Sequence, residues 1–436
     1  MTFTTLRRAA LLRHSALGLA VAVTSVGAAT LAPQAAIAQK APKLSKGFQG
    51  EIVKVQAAVQ AAEADPTYAT ADAAAKAALL ATARAALPAA KAVIAADNSQ
   101  DKLYYGQFAY NIGAQTGDTA LQREGLDYMI QAGSDDPAQL VRLQTAAGQL
   151  AYNANDWAAA QRYLSAASAA DPGDPRIGAL LAETYFAQSQ FDNGFEILNQ
   201  AISVAEAAGV AADENWYKRA LSVAFKNELG GPAIDWAKRY ATAYPSENSW
   251  GDAIAITRQF ATLDGQAALD ILRLTDRTGA WRTKNDVLEY VELADPRRLP
   301  GEVVRIVDQG MALGLITSAD SYAVDVRGEA QGRVASDKAS LPGLQREAMG
   351  AGSSATTAMA AGDAFLSYGD AAVAEAIYRA ALDKSGVDTA RVMTRLGIAL
   401  VDQGKFAEAQ EVFGQVTGAR KPVADLWAIY AGQQAG

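Results

Sequence analysis

The sequence predicts an all-α fold built from stacked helix–turn–helix repeats, and three observations support this. Half of the 436 residues are apolar, with much of the excess contributed by alanine, and only 13 residues are proline. Apolar residues recur at helical spacing in short segments that end at glycine or proline. The segments also repeat, because Gly148 and Ala182 lie 34 residues apart and Gly362 and Gly397 lie 35 apart. Helix pairs this short need neighbours of the same kind to bury their apolar faces.

Residues 1–38 have the pattern of a cleavable signal peptide. A positively charged region precedes a weakly apolar stretch at 16–31, and an A-x-A cleavage pattern precedes Gln39. The charged residues are Arg7, Arg8 and Arg13. An uncleaved membrane anchor is the alternative, but the stretch is too weakly apolar to hold a bilayer well. We therefore expect a periplasmic protein that keeps no integral membrane segment after cleavage.

Two regions follow the leader. Residues 39–100 form an alanine-rich helical segment, with helices predicted at 51–64 and 71–96 and a turn at Asp65-Pro66. Residues 101–316 form a repeat block whose clearest units begin near Gly148 and Ala182. Before and after these two units the pattern is partly degenerate.

The last two regions are a linker and a second repeat block. Residues 317–345 are the least regular part, with a polar helix predicted over 318–337, and we expect a helix crossing the array or a hinge. Residues 346–436 contain a repeat pair and a capping helix at 424–430, whose Leu426, Trp427 and Tyr430 would cover the last apolar face.

The repeated positions resemble the tetratricopeptide repeat. The family pattern places a small residue first, an aromatic three on, a small residue twelve on and a large apolar residue four further. It is matched by Gly362, Phe365, Ala374 and Tyr378, and by Gly397, Leu400, Ala409 and Phe413. The resemblance implies a right-handed superhelix, and the overall layout resembles exported repeat proteins of alphaproteobacteria that have no defined activity.

Composition limits the chemistry. The formal charge is −8, and without the leader 36 basic residues face 47 acidic ones, a net −11 that disfavours nucleic acid as a partner. There is no cysteine, and the single histidine, His14, lies in the leader. Catalytic triads, thiol catalysis and His- or Cys-ligated metals are therefore excluded for the mature chain. We expect no catalytic residue, no cofactor and no metal.

The closest acidic clusters sit where helices are predicted to begin, at Asp135-Asp136, Asp171/Asp174 and Asp213-Glu214. Such carboxylates cap free backbone N–H groups, so we expect caps and not calcium or acid–base sites.

The candidate binding residues lie where the resemblance places the inner face of the superhelix. They are Arg142, Gln149 and Tyr152 in one unit, Arg176, Glu183 and Phe186 in the next, and Tyr217 in the third. Arginine and tyrosine suit the recognition of a peptide because both combine contact area with hydrogen bonding.

The sequence therefore favours a non-enzymatic periplasmic scaffold of a Gram-negative bacterium. It would bind a periplasmic or outer-membrane partner protein in its concave groove and serve envelope assembly. Two alternatives stay open, namely a carboxylate-dependent polysaccharide-active enzyme on a helical scaffold and a carrier of a small ligand or lipid.

Overall fold

The structure, a computed structural model, describes residues 43–436, and this range contains helices but no strand. The predicted leader lies outside the described residues. None of the described helices is long and apolar enough to cross a membrane. The chain divides into two compact units between Trp216 and Tyr217.

The helices of the first unit are α1 (Lys46–Glu63), α2 (Ala73–Leu79), α3 (Ala81–Ala92), α4 (Ser99–Thr116), α5 (Thr119–Ala132), α6 (Pro137–Asn153), α7 (Trp157–Ala170), α8 (Pro175–Ala187) and α9 (Phe191–Ala207). Helix α10 (Glu214–Lys226) begins where the units divide. The second unit continues with α11 (Gly230–Ala243), α12 (Glu247–Phe260), α13 (Gly265–Thr278), α14 (Lys284–Ala294), α15 (Pro300–Ala312), α16 (Ser321–Met349), α17 (Ala355–Ser367), α18 (Ala371–Leu382), α19 (Thr389–Asp402), α20 (Phe406–Gly414) and α21 (Lys421–Gln434).

The alanine-rich start of the first unit is a packed helical cluster. Phe48 and Val55 of α1 are buried with Leu87 of α3 and Tyr105 of α4. The helix predicted at 71–96 is two helices, because the chain bends at Leu80, whose side chain is buried in the same core. The buried Asp101 accepts hydrogen bonds from the Ser45 backbone N–H (2.9 Å) and hydroxyl (2.6 Å), which ties the start of α1 to α4.

Small residues let the two helices of a hairpin approach closely, as the repeat pattern predicts. A Cβ added to Gly397 would lie 2.3 Å from the Phe413 ring, and one added to Gly362 would lie 2.5 Å from the Tyr378 ring. In the first unit, a Cβ on Gly148 would lie 2.5 Å from Leu164. Each glycine therefore accommodates the large side chain sixteen residues later in the following helix.

The hairpin turns share one backbone geometry that the sequence pattern did not predict. The second residue after the helix adopts a left-handed conformation, and the N–H of the residue that follows it donates to the carbonyl five residues earlier, which is a Schellman ending. The left-handed residues include Asn155, Ser189, Glu228, Gly369 and Gly404. The backbone bonds, from Asp156, Gln190, Leu229, Asp370 and Lys405, are all 2.9–3.0 Å long. Glu228 belongs to a repeat whose sequence matches the pattern poorly, yet its turn has the same backbone conformation as the others. The turn geometry is therefore kept where the sequence pattern is not.

The second unit contains one long helix where the sequence predicts a shorter one. The polar helix expected to end near Asp337 continues through Pro342 to Met349 as α16. Proline supplies no N–H to the preceding turn, and its ring crowds the carbonyl four residues earlier, so packing against neighbouring helices has to offset this cost. Helix α16 packs against α15, α17 and α18.

The last helix does more than cap the final hairpin. Trp427 of α21 is fully buried and stacks on Phe413, with ring centroids 6.2 Å apart. Its indole N–H donates to the Asp270 carbonyl of α13 (2.9 Å), and α21 also packs against α11 and α12. The last helix of the second unit therefore packs against the first helices of the same unit.

Candidate functional site

The first three predicted groove residues lie on α6, which packs against α8. Arg142 is exposed, and its Nη2 lies 3.3 Å from the Asp136 carboxylate that caps the same helix. Gln149 is half-buried. Tyr152 is also half-buried and packs edge-on against Trp157, with ring centroids 5.1 Å apart. These side chains leave polar and aromatic surface on α6.

The equivalent residues of α8 behave differently. Arg176 is exposed and donates two hydrogen bonds to the N-cap Asp174 (2.9 and 2.7 Å), which lower the pKa of that carboxyl. Glu183 and Phe186 are buried. The Phe186 ring occupies the space beside Gly194, where an added Cβ would lie 2.3 Å away. The burial of Glu183 and Phe186 contradicts their predicted position on a groove, and for Phe186 the reason is that Gly194 of α9 leaves space for the ring.

Tyr217 belongs to the second unit and does not line a groove either. It is 3% exposed, and its ring packs edge-on against Trp236 (centroids 6.3 Å apart) and Tyr244 (5.8 Å). This prediction is also wrong, since the aromatic ring is part of the core. The capping predictions at Asp136 and Asp174 are confirmed, because both carboxylates accept N–H bonds from the first turn of their helices.

The second unit contains a buried cluster of charged residues that the sequence pattern did not single out. Its centre is Asp270 of α13, which has no solvent exposure. Asp270 pairs with Arg273 of the same helix (2.9 Å), with Arg395 of α19 (3.2 Å) and with Arg420 just before α21 (2.7 Å). One carboxylate therefore joins three segments that are far apart in the sequence.

Two further carboxylates extend this buried cluster. Glu302 of α15 accepts two hydrogen bonds from Arg273, both 2.8 Å, and a third from the Tyr290 hydroxyl (2.5 Å). Asp363 of α17 pairs with Arg395 and accepts a hydrogen bond from the Tyr378 hydroxyl (2.7 Å). Each of the three carboxylates in this cluster thus has an arginine partner.

The arginines keep these carboxylates ionised. Burial raises the pKa of Asp270, but the charges of Arg395, Arg273 and Arg420 outweigh burial and leave that pKa below its ordinary value. Burial also acts to raise the pKa of Glu302, but the Arg273 charge and hydrogen bonds lower it to about 2. Neither group holds a proton near neutral pH.

A cavity of about 400 Å³ lies beside this buried cluster, and helices α13, α15, α16, α17 and α19 contribute to its wall. Arg277 donates to both oxygens of Asp402 (2.9 Å each) at this wall, as Arg273 does to Glu302. Arg305 and Lys338 also line the cavity. Within residues 43–436, no cluster of three or more carboxylate, histidine or cysteine side chains is arranged to hold a metal ion.

Comparison with known proteins identifies the repeat. Residues 151–208 match the family model of the tetratricopeptide repeat. This range covers α7, α8 and α9, where the hairpin packing and the turn geometry described above occur. Over this stretch the chain is similar to the tetratricopeptide repeat. Repeats of this family typically form scaffolds for protein interaction.

No curated protein matches the chain. Sixty-four chains of solved structures do, and one of them belongs to the structure of Naa15/Naa10 bound to HypK-THB. The match has 11% identity and a TM-score of 0.36, and it covers 87% of this chain and 69% of the other. At this score the likeness carries no argument about fold or function.

Proposed function

We propose that this tetratricopeptide-repeat protein is an exported, non-enzymatic scaffold that binds a segment of a partner protein. Its place would be the periplasm of a Gram-negative bacterium, and its role envelope assembly. The observation that supports this best is that the family match at 151–208 includes the exposed Arg176 and the partly exposed Tyr152, with the exposed Arg142 on the same helix as Tyr152. The leader pattern of 1–38 supports export.

The proposed binding surface is the part of the predicted groove that remains accessible, namely Arg142, Gln149, Tyr152 and Arg176. The two arginine side chains are 68% and 83% exposed, and within residues 43–436 each forms an ion pair with the aspartate that caps its own helix. Exposed ion pairs of this kind contribute about 0–1 kcal/mol. A carboxylate of a partner can therefore replace the aspartate at little cost in free energy.

The buried acidic residues of the second unit do not favour the alternative of a polysaccharide-active enzyme. A glycoside hydrolase needs one carboxyl group with a raised pKa to act as general acid. The pKa values of Asp270 and Glu302 are lowered instead. Their arginine partners suit an ionised structural network better than proton transfer.

Partner binding can be tested by affinity capture from a periplasmic extract with the wild-type protein and with Arg142→Ala and Arg176→Ala. Arg297→Ala is a matched control, because Arg297 binds Asp295 with the same geometry as Arg176 binds Asp174 (3.0 and 2.9 Å). We expect the groove variants to lose about tenfold or more of the captured partner and the control to lose none. Equal capture by all four proteins would contradict the proposed surface.

Export is tested separately by determining the N-terminus of the protein recovered from the periplasmic fraction. We expect it to begin at Gln39. Recovery of the uncleaved chain in the membrane or cytoplasmic fraction would contradict this part of the proposal.

A further inference from the structure

The cavity of the second unit has a wall whose negative charges are already neutralised. Both oxygens of Glu302 accept hydrogen bonds from Arg273, and both oxygens of Asp402 accept them from Arg277. Behind the wall, Asp276 accepts bonds from Arg277 (2.8 Å) and from Arg305 (2.6 Å). The acceptors of this wall therefore have little capacity left for a cationic ligand.

Two cationic side chains of the same cavity keep donors available. Arg305 is 44% exposed and, among the described residues, donates only one of its N–H groups, to Asp276. Lys338 of α16 is exposed, and its Nζ lies 5.0 Å from the centre of the Tyr368 ring. No described carboxylate is within ion-pair distance of Lys338, since Asp337 instead accepts a hydrogen bond from the Tyr368 hydroxyl (2.8 Å). The hydrogen-bond donors that remain available to a ligand in this cavity are therefore the positively charged groups of Arg305 and Lys338.

The remaining wall is partly aliphatic. It includes Val304, Val334, Leu366 and Ile398. A volume of about 400 Å³ is at the lower end of the range for small-molecule sites, which combine apolar walls with a few placed polar groups. The cavity therefore has room for a small molecule but not for a folded domain.

We propose that this cavity binds a small organic carboxylate with a short aliphatic body. The planar guanidinium of Arg305 suits the two oxygens of a carboxylate, and the Lys338 ammonium adds a second cation. The aliphatic body lies on the valine, leucine and isoleucine side chains. This site is separate from the α6–α8 surface and does not depend on the proposed partner.

The site can be tested by isothermal titration of the full-length mature protein with 4-methylpentanoate. We expect binding by the wild type and a loss of about tenfold or more in Arg305→Gln and in Lys338→Gln. Arg333→Gln is the matched control, because Arg333 lies on the same helix but pairs with Glu329 (3.3 Å) and does not line the cavity. It should bind like the wild type. Lys338 makes no ion pair with the described residues, so the contact that its replacement removes from the fold is that of the ammonium with the Tyr368 ring.

Two further probes decide whether the site recognises a carboxylate on an aliphatic body. The uncharged 4-methylpentanamide and inorganic phosphate should each bind about tenfold more weakly or worse than 4-methylpentanoate. The proposal is overturned if either binds as tightly, if Arg333→Gln weakens binding as much as Lys338→Gln, or if 4-methylpentanoate does not bind at millimolar concentration. Partner capture by Lys338→Gln should equal that of the wild type, so failure here is distinguishable from failure of the proposed scaffold function.

Discussion

The hairpins α6–α9 of the first unit and the helices α13–α21 of the second use charge in opposite ways. In the first, Arg176 and Asp174 form an ion pair at the surface, two residues apart, and the buried side chains are apolar apart from Glu183 and Thr184. In the second, Asp270 is fully buried, and its partners Arg395 and Arg420 lie 125 and 150 residues away. Within hairpins, both regions pack small residues against large ones in the same way. They differ in the contacts between helices that are distant in the sequence, which in the second region include buried ion pairs.

Two kinds of contact are therefore distinguished: apolar packing between consecutive hairpins, and ion pairs between helices that are far apart in the sequence. Apolar packing between consecutive hairpins is generic, because any repeat with a similar face can extend the array. Buried ion pairs are directional, and their net contribution to stability is small because desolvation offsets attraction. We infer that the Asp270 network chiefly specifies that α13 meets α19 and α21, and that breaking it leaves buried charges without partners.

The largest expected effect is that of Asp270→Ala. It leaves Arg395 and Arg420 buried with too few acceptors, so the free energy of unfolding should fall by about 3–5 kcal/mol. Urea unfolding followed by tryptophan fluorescence measures this, since four of the six tryptophans follow residue 217. Asp174→Ala in the first unit is the comparison and should cost about 1 kcal/mol through its lost cap. Equal losses would show that burial of the network is energetically unimportant.

Acid should weaken the second unit more than the first. Because the folded-state pKa of Glu302 is lowered from 4.5 to about 2, the stability it contributes is complete above about pH 4.5 and is lost as pH falls towards 2. The loss for this single group is on the order of 3 kcal/mol. Urea unfolding at several pH values should show the dependence. Glu302→Gln should make that slope shallower by the contribution of this one group, and a variant with an unchanged slope would contradict the assignment.

The third expected effect concerns the small residues that both units share. Gly397→Ala should cost about 1–3 kcal/mol, because its Cβ would overlap the Phe413 ring, which is held from the other side by Trp427. Gly148→Ala should cost less, since the Leu164 side chain can change rotamer more easily than a clamped ring. Urea unfolding of both variants gives the order. A larger cost at Gly148 would show that the first unit is the more tightly packed.

The fold followed from the sequence because its signals are local. The spacing of small and large residues predicts helix pairs at Gly148, Gly362 and Gly397. In the structure, the large residue sixteen positions later packs against each of these glycines. The helix break at Leu80 and the continuation of α16 through Pro342 were not predicted, because tertiary packing decides both.

The candidate binding residues were harder to predict, because their exposure depends on packing between helices. The same pattern selected all of the candidate groove residues, but Arg142 and Arg176 are exposed whereas Phe186 and Tyr217 are buried. Their burial depends on neighbours such as Gly194 and Trp236 on the next helix. The Asp270 network had no sequence signal, since pairs 125 or 150 residues apart have no periodicity.

The smallest expected effect tests whether the turns of the two units are equivalent. Ser189 in the first unit and Gly404 in the second have nearly the same left-handed φ, 58° and 75°. A side chain in this conformation costs about 1 kcal/mol relative to glycine. Ser189→Gly should therefore stabilise the protein slightly, by less than about 1 kcal/mol because glycine also loosens the unfolded chain, and Gly404→Ala should destabilise it by about 1 kcal/mol. If the urea midpoints of both variants move in the same direction, the two turns differ in the free energy of their left-handed residue although their backbone geometry is the same.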